Sequence, residues 1–166
     1  MTKKIQLTRG QIALVDDSDF EELSKYKWCA CKHKCGNFIP FAWINKRNTS
    51  MHRHLMNNPK GMFVDHINHD TLDNRRSNLR ICTKTQNDYN RRKDNKVKYK
   101  GIVKDRRPNI SKPYRARIMV NKKFRYSCGL ETELEAAIEY DKLAIFYFGE
   151  FACLNFPDCI IEKETM

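Results

Sequence analysis

The first fifty residues alternate more than they cycle. In "KKIQLTRGQIALVDD" apolar and polar positions take turns on either side of Arg9-Gly10, which predicts two short strands about a turn. "SDFEELSKY" changes the period. Phe20, Leu23 and Tyr26 recur at helical spacing, with Ser18 or Asp19 placed to cap the first turn. "KWCACKHKCGNFIPFAWI" reads as a hairpin turning at Lys34, Cys35, Gly36 and Asn37, and "TSMHRHLMNN" as a short helix ended by Asn-Pro and Lys60-Gly61.

The middle of the chain carries a strand, a polar loop, a strand and a helix in succession. "GMFVDHI" is strand-like, "NHDTLDNRRSN" is a loop and "LRIC" is a second strand. "TKTQNDYNRRK" opens with Thr83 and Gln86 at the spacing of a capping box, so a helix follows. Beyond the basic, apolar-poor run "RRKDNKVKYK" come three more strand-like segments, "YKGIVKD", "PYRARIMV" and "FRYSCGL", with "NKK" as a tight turn before the last. "TELEAAIEYDKLAIFYFGE" repeats the capping box with Thr132 and Glu135 and ends at Gly149. Leu134, Ala137, Ile138, Ile145 and Phe148 are expected on the one face that meets the sheet. The pattern is α+β: a ββα unit, then a three-stranded antiparallel sheet packed on one helix. Two small domains joined near residue 95 fit 166 residues better than one large core.

Charge narrows the function. The net charge is +12, which suits a polyanion whose condensed counterions Lys and Arg release. A membrane is not expected, because no apolar run approaches the roughly 18 residues of a spanning helix and the basic residues do not share an amphipathic helix. Two early lysines without a following apolar stretch do not make a secretory signal. Seven cysteines without such a signal suggest reduced thiols. "WCACKHKC" gathers Cys29, Cys31, Cys35 and His33, but the paired spacing of a structural zinc site is missing. Small buried thiols are the expected reading, and a zinc-stabilised adaptor is the rival.

"VDHINHDTLDNRRSNLRICTKTQNDYN" holds the candidate chemistry. Phosphodiester hydrolysis needs a base for water, a cation for the leaving oxygen, and groups that hold phosphate. A histidine of near-neutral pKa is a natural base, and a hard divalent ion takes oxygen from Asp or Asn. Asp65 and His66 are neighbours on one strand and should point to opposite faces, so acid and imidazole can divide the work. Asn87 stands one turn into the following helix. A histidine in a polar loop is usually only solvated, and Asn-rich loops are usually turns. Here that reading must account for four spaced residues inside a ββα stretch. His69 and Asp70 are expected exposed in the loop. His52 and His54, two apart, would not share a helix face; one could approach the site, but neither is assigned to it. Asn90 is a candidate supporting partner.

Asp65-His66, Asn78 twelve positions on and Asn87 nine further resemble the HNH nucleases, in the branch where the final His is Asn, found among phage and intron homing endonucleases. That resemblance implies a ββα-metal fold. It implies His66 as general base, with Asn78 holding the loop that presents it. Asp65 and Asn87 would hold a Mg²⁺-like ion, Mn²⁺ being an alternative, and Arg75, Arg76 and Arg80 would contact phosphate. Products would carry 5′-phosphate and 3′-hydroxyl ends. Residues 98–157, with "YKGI", "YRARIMVNKKFRY" and "YFGEFACLNFP", are similar to the APETALA2-type DNA-binding domain, although a Trp usual near Tyr114 is absent. This implies a sheet laid in the major groove.

Alternation puts Arg115, Arg117 and Met119 on the solvent face of that sheet, and Arg125, Lys100, Lys104 and Lys122 are expected to join them. Arg91 and Arg92, in the basic run, are expected on phosphate. The implied organisation is an N-terminal α+β region over 1–50 packing on a nuclease core over 51–93, a linker over 94–97, the DNA-binding domain over 98–157 and a tail over 158–166. The expected partner is double-stranded DNA, in the cytoplasm of a bacterial or phage-infected cell. A DNA-binding regulator that does not cut is the alternative.

Overall fold

The computed structural model describes residues 1–33, 36–93 and 97–159. They form two compact units, Met1–Asn87 and Asp88–Met166. The class is α+β, built from several small antiparallel sheets and few helices. No helix among the described residues is long and apolar enough to cross a membrane.

In the first unit β1 (Thr2–Gln6) and β2 (Ile12–Asp16) pair about the turn at Arg9-Gly10. Alternation sends Ile5, Ala13 and Val15 inward. Helix α1 (Asp17–Ser24) follows at once, with Asp16 rather than Ser18 or Asp19 at the capping position. Asp19 is drawn inward instead, to meet an arginine from the loop described below. β3 (Cys29–Lys32) and β4 (Phe38–Ile44) make the expected hairpin, and β5 (Arg47–Ser50), which the sequence pattern did not announce, pairs with β4 as a third strand. Of the four expected turn residues, Lys34 and Cys35 lie outside the described residues, while Gly36 donates its N–H to the His33 carbonyl. Helix α2 (Met51–Leu55) comes next. β6 (Phe63–His66) pairs with β7 (Leu79–Cys82), and α3 (Lys84–Tyr89) begins right after β7. The capping box is present: Thr83 Oγ1 accepts from Gln86 N at 3.2 Å, and Gln86 Oε1 accepts from Thr83 N at 2.8 Å. One core unites these parts, with Leu23, Trp28, Met51, Leu55 and Leu79 packed together with the β1–β2 residues.

In the second unit β8 (Ile102–Lys104), β9 (Tyr114–Val120) and β10 (Lys123–Tyr126) form one antiparallel sheet in the order β10-β9-β8. Asn121 and Lys122, at φ 50° and 62°, close the two-residue turn between β9 and β10, as the twist of a tight hairpin favours. Helix α4 (Glu133–Phe148) starts with the Thr132–Glu135 capping box and packs on β9. Its inner face differs from expectation. Ala136, Ala137, Tyr140, Ala144 and Phe148 are buried, while Leu134, Ile138 and Ile145 are exposed. The helix is apolar most of the way round, so hydrophobicity alone did not pick the face. The small alanines did, because they let the helix approach Ala116 and Ile118 closely. Gly101, at φ 73°, lies under the Tyr140 ring; a Cβ there would stand 2.0 Å from Tyr140 Cδ2. The tail is pinned by Asp141, whose buried carboxylate accepts the N–H groups of Asn155 at 2.8 Å and Phe156 at 2.9 Å.

Candidate active site

The site grows from the β6–β7 hairpin. Register pairs Asp65 with Arg80 and His66 with Leu79, so the two neighbours take opposite faces. His66 is buried. Its ring meets the His52 ring edge-on, at 5.0 Å between centroids and 72° between planes. Burial holds its pKa below the ordinary histidine range. Asn74 and the carboxylates of Asp65, Asp70 and Asp73 pull the other way without overcoming that burial. The imidazole is therefore neutral at pH 7, the form a base requires.

The loop between the strands is knit by its own side chains. Asn78 is buried at the centre. Its Oδ1 accepts from Asn68 N at 3.0 Å, and its Nδ2 donates to Asn68 Oδ1 at 2.9 Å and to the Asp73 carbonyl at 2.8 Å. Its own carbonyl accepts the N–H of Ile67, the residue after His66. The side-chain amide thus ties Asn68 to Asp73, and the backbone carbonyl ties the end of the loop to its start. The loop is anchored on β2, where Leu14 N donates to the Leu72 carbonyl and Asn74 N to the Leu14 carbonyl, both at 2.8 Å. Asp70 accepts from Leu72 N and shapes the turn, and His69 sits at φ 64°.

The three arginines expected on phosphate each hold a carboxylate. Arg75 grips buried Asp73 through Nε and Nη2, at 2.8 and 2.6 Å. Arg76 embraces Asp19 with Nε and Nη2, reaches the Leu55 carbonyl with Nη1, and gives its backbone N–H to Asp16. Arg80 donates from Nε and Nη2 to Asp65 Oδ2, at 3.1 and 2.9 Å, in a pair that is nearly closed to solvent. Arg76 is thus a staple between the loop and α1, a role that only the fold reveals.

Asn87 stands one turn into α3, half-buried, its N–H on the Thr83 carbonyl. Among the described residues no three His, Cys, Asp or Glu side chains gather into a metal cage. Asp65 and Asn87 offer oxygen donors of the kind a hard divalent ion takes, and Arg80 already holds Asp65 Oδ2. Cys82 is buried, but Cys29, Cys31 and Cys128 are exposed, contrary to the expectation of buried thiols, and Cys35 lies outside the described residues.

In the second unit Arg115 and Arg117 are exposed on the outer sheet face, as alternation predicts. Register adds Phe124 and Tyr126, opposite Met119 and Arg117, and the Arg117 guanidinium lies 4.9 Å from the Phe124 ring centre. Arg125 does not join them, because it pairs with Ile118 and so belongs to the other face. Lys104 pairs with Tyr114, on the register of that other face, and its Nζ covers the Tyr114 ring. Lys100 is mostly buried, with Nζ donating to the carbonyls of Tyr89 and Arg91; burial lowers its pKa. It is a structural tie. Arg91 and Arg92 are exposed, and Asn90 is buried within this unit.

A family model described as HNH endonuclease matches residues 57–89, from the end of α2 through α3. An uncharacterized HNH endonuclease of Acanthamoeba polyphaga mimivirus is 31% identical over 153 residues, covering 89% of this chain and 76% of that protein. This chain belongs to the HNH endonuclease family. It is therefore a nuclease. No solved structure matches it. The matched segment of this HNH endonuclease holds Asp65, His66, Asn78 and Asn87. His52, whose ring touches that of His66, went unassigned in the sequence: it lies outside the matched segment, and only the "MHRHL" histidine pair hinted at it.

Proposed function

We propose that this HNH endonuclease is a metal-dependent enzyme that hydrolyses phosphodiester bonds of double-stranded DNA. The reading rests on one observation above the others: a buried, neutral His66 stands beside Asp65 on a strand whose following loop is locked by Asn78. His66 takes the proton of the attacking water. Asn78 keeps the loop closed, so the imidazole does not drift. Asp65 and Asn87 would hold a Mg²⁺-like or Mn²⁺-like ion, which supplies positive charge for the phosphate and the leaving oxygen. Arg80 sits directly across from Asp65, within reach of a phosphate brought to that carboxylate. In this reading β6, β7 and α3 are a ββα-metal motif, and the products carry 5′-phosphate and 3′-hydroxyl ends. The second unit selects or anchors the DNA site through Arg115, Arg117 and their aromatic neighbours, and its sheet-on-helix form agrees with the APETALA2-type resemblance.

The test is nicking of supercoiled plasmid with Mg²⁺ or Mn²⁺. The native protein should relax or linearise the plasmid, and EDTA should stop it. His66→Ala should lose on the order of 10²–10⁴-fold in rate, the usual worth of a general base, while still binding duplex. Tight binding with no cutting by either protein, on plasmid or on viral genomic DNA, would replace catalysis with a regulatory DNA-binding role.

A further inference from the structure

His52 lies outside the matched family segment, yet its ring lies against that of the base. It is mostly buried on the first turn of α2. Nε2 lies 3.2 Å from Ser50 Oγ, a hydrogen bond that fixes the ring about its own axis. Nδ1 is buried and has no hydrogen-bond partner among the described residues. Burial, the neighbouring His66 and the Arg53 charge hold its pKa at about 3, so this ring too is neutral. The next residue, Arg53, donates from Nη1 to the Met62 carbonyl at 3.0 Å and from Nη2 to the Pro59 carbonyl at 2.9 Å. Met62 directly precedes β6. The short helix therefore grips the strand at its start through Arg53 and touches the base at its end through His52.

A plain packing residue does not account for this arrangement. A buried ring nitrogen without a partner costs free energy that a Phe or Leu at the same place would not. Such costs are tolerated where the group serves a site. His66 needs a fixed ring plane, because a reacting group displaced by about 1 Å can lose on the order of 10²-fold in rate. A restraint on that plane requires a rigid neighbouring ring that cannot itself turn, and the Ser50-anchored imidazole is such a ring.

We propose that His52 is a positioning residue for the nuclease reaction: anchored on Ser50, its ring holds the His66 imidazole in the orientation that water activation requires. The proposal rests on the reading of His66 as general base. His52 contacts neither the water nor the DNA; it acts through His66.

The experiment measures Mn²⁺-supported plasmid nicking against plasmid concentration for the full chain and for His52→Ala, His52→Phe and His66→Ala, with thermal melting of each. His52→Ala should lower kcat by about 10- to 100-fold and leave KM within about twofold of native. His52→Phe keeps a ring against His66 but cannot bond Ser50, so it should recover kcat only in part, to between the His52→Ala and native values, a graded rescue that lost packing elsewhere would not follow. A His52→Ala protein that melts like native and keeps native kcat overturns the proposal. So does a folded His52→Phe protein as inactive as His52→Ala, or one with native kcat, which would leave the Ser50 anchor without a role. If neither His52 variant folds, His52 is a core residue and the proposal fails. His66→Ala separates the two readings. If it still nicks at the native rate, the base assignment falls. If it is inactive while His52→Ala is native-like, only the role of His52 falls.

Discussion

The two units use arginine in opposite ways. In the first, Arg75, Arg76 and Arg80 each grip a carboxylate of their own unit, and two of those carboxylates, Asp19 and Asp73, are buried. In the second, Arg115 and Arg117 stand exposed on the open sheet face and enter no ion pair among the described residues; Arg117 is steadied by an aromatic ring instead. The difference follows from what each unit has to hold. A polar loop that carries a base has little apolar area to bury, so fixed side-chain hydrogen bonds must order it. A sheet backed by an apolar helix is ordered already and can leave its outer face to a ligand. A net charge of +12 therefore says less about where DNA binds than the pairing of each charge does.

If packing orders the second unit, its most sensitive point is steric. Gly101→Ala adds a methyl group 2.0 Å from a carbon of the Tyr140 ring, at a backbone φ of 73° that disfavours any side chain. Overpacking and backbone strain together should cost about 3 kcal/mol or more, seen as a lower unfolding midpoint in urea. A near-native midpoint would mean that helix and sheet yield easily and that packing does not order this unit.

If ion pairs order the first unit, removing one should unfold it without touching any apolar contact. Arg76→Met leaves Asp19 buried with no counter-charge and frees the Leu55 carbonyl. Breaking a buried pair costs about 3–5 kcal/mol. Arg76 is half exposed, so solvent screens the pair, and about 2–3 kcal/mol is expected by denaturant titration. An unchanged midpoint would return Arg76 to the phosphate role that the family resemblance implies.

Local order was legible in the sequence, and long-range contacts were not. The strands other than β5 and the capping boxes at Thr83 and Thr132 are local signals, set by neighbours a few residues away, and the structure agrees with the elements they define. Arg76 and Asp19 are 57 residues apart, and His52 meets His66 only after a helix, a turn and a strand have been folded. No periodicity reports such contacts. The inner face of α4 escaped for another reason: its apolar residues cover too wide an arc to choose, and the small size of Ala136, Ala137 and Ala144 decided it. The third strand β5 was missed because "RNTS" carries no hydrophobic alternation.

The units should also part company in acid. His52 titrates near 3 when folded and near 6.5 otherwise. Its folded pKa is depressed, so its contribution is fully present above pH 6.5 and is lost as the pH falls through that window toward 3. The first unit should weaken by up to about 1.4 kcal/mol per pH unit from this group alone. Unfolding at pH 7 and pH 5 should show the loss, and His52→Phe should reduce it. Equal slopes in the two proteins would mean that the buried ring is charged at little cost.

The smallest effect lies on the exposed sheet and concerns binding alone. Neither Arg115 nor Arg117 holds up the fold, so Arg115→Ala and Arg117→Ala should each leave stability within about 0.5 kcal/mol of native, as exposed substitutions do. Arg117→Ala also removes the cation over the Phe124 ring, worth no more than about 0.5–1 kcal/mol at an exposed site. Each should weaken duplex binding by about 1 kcal/mol, roughly fivefold, and flatten the dependence of affinity on salt if the contact is to phosphate. A loss confined to certain sequences, with the salt slope unchanged, would place that arginine on a base edge instead. Arg125→Ala is the internal contrast, since its side chain belongs to the opposite register. Were it to weaken binding as much as Arg117→Ala, the outer face would not be the one that meets DNA, and the contrast between spent and available arginines would have to be redrawn around the edge strand β10.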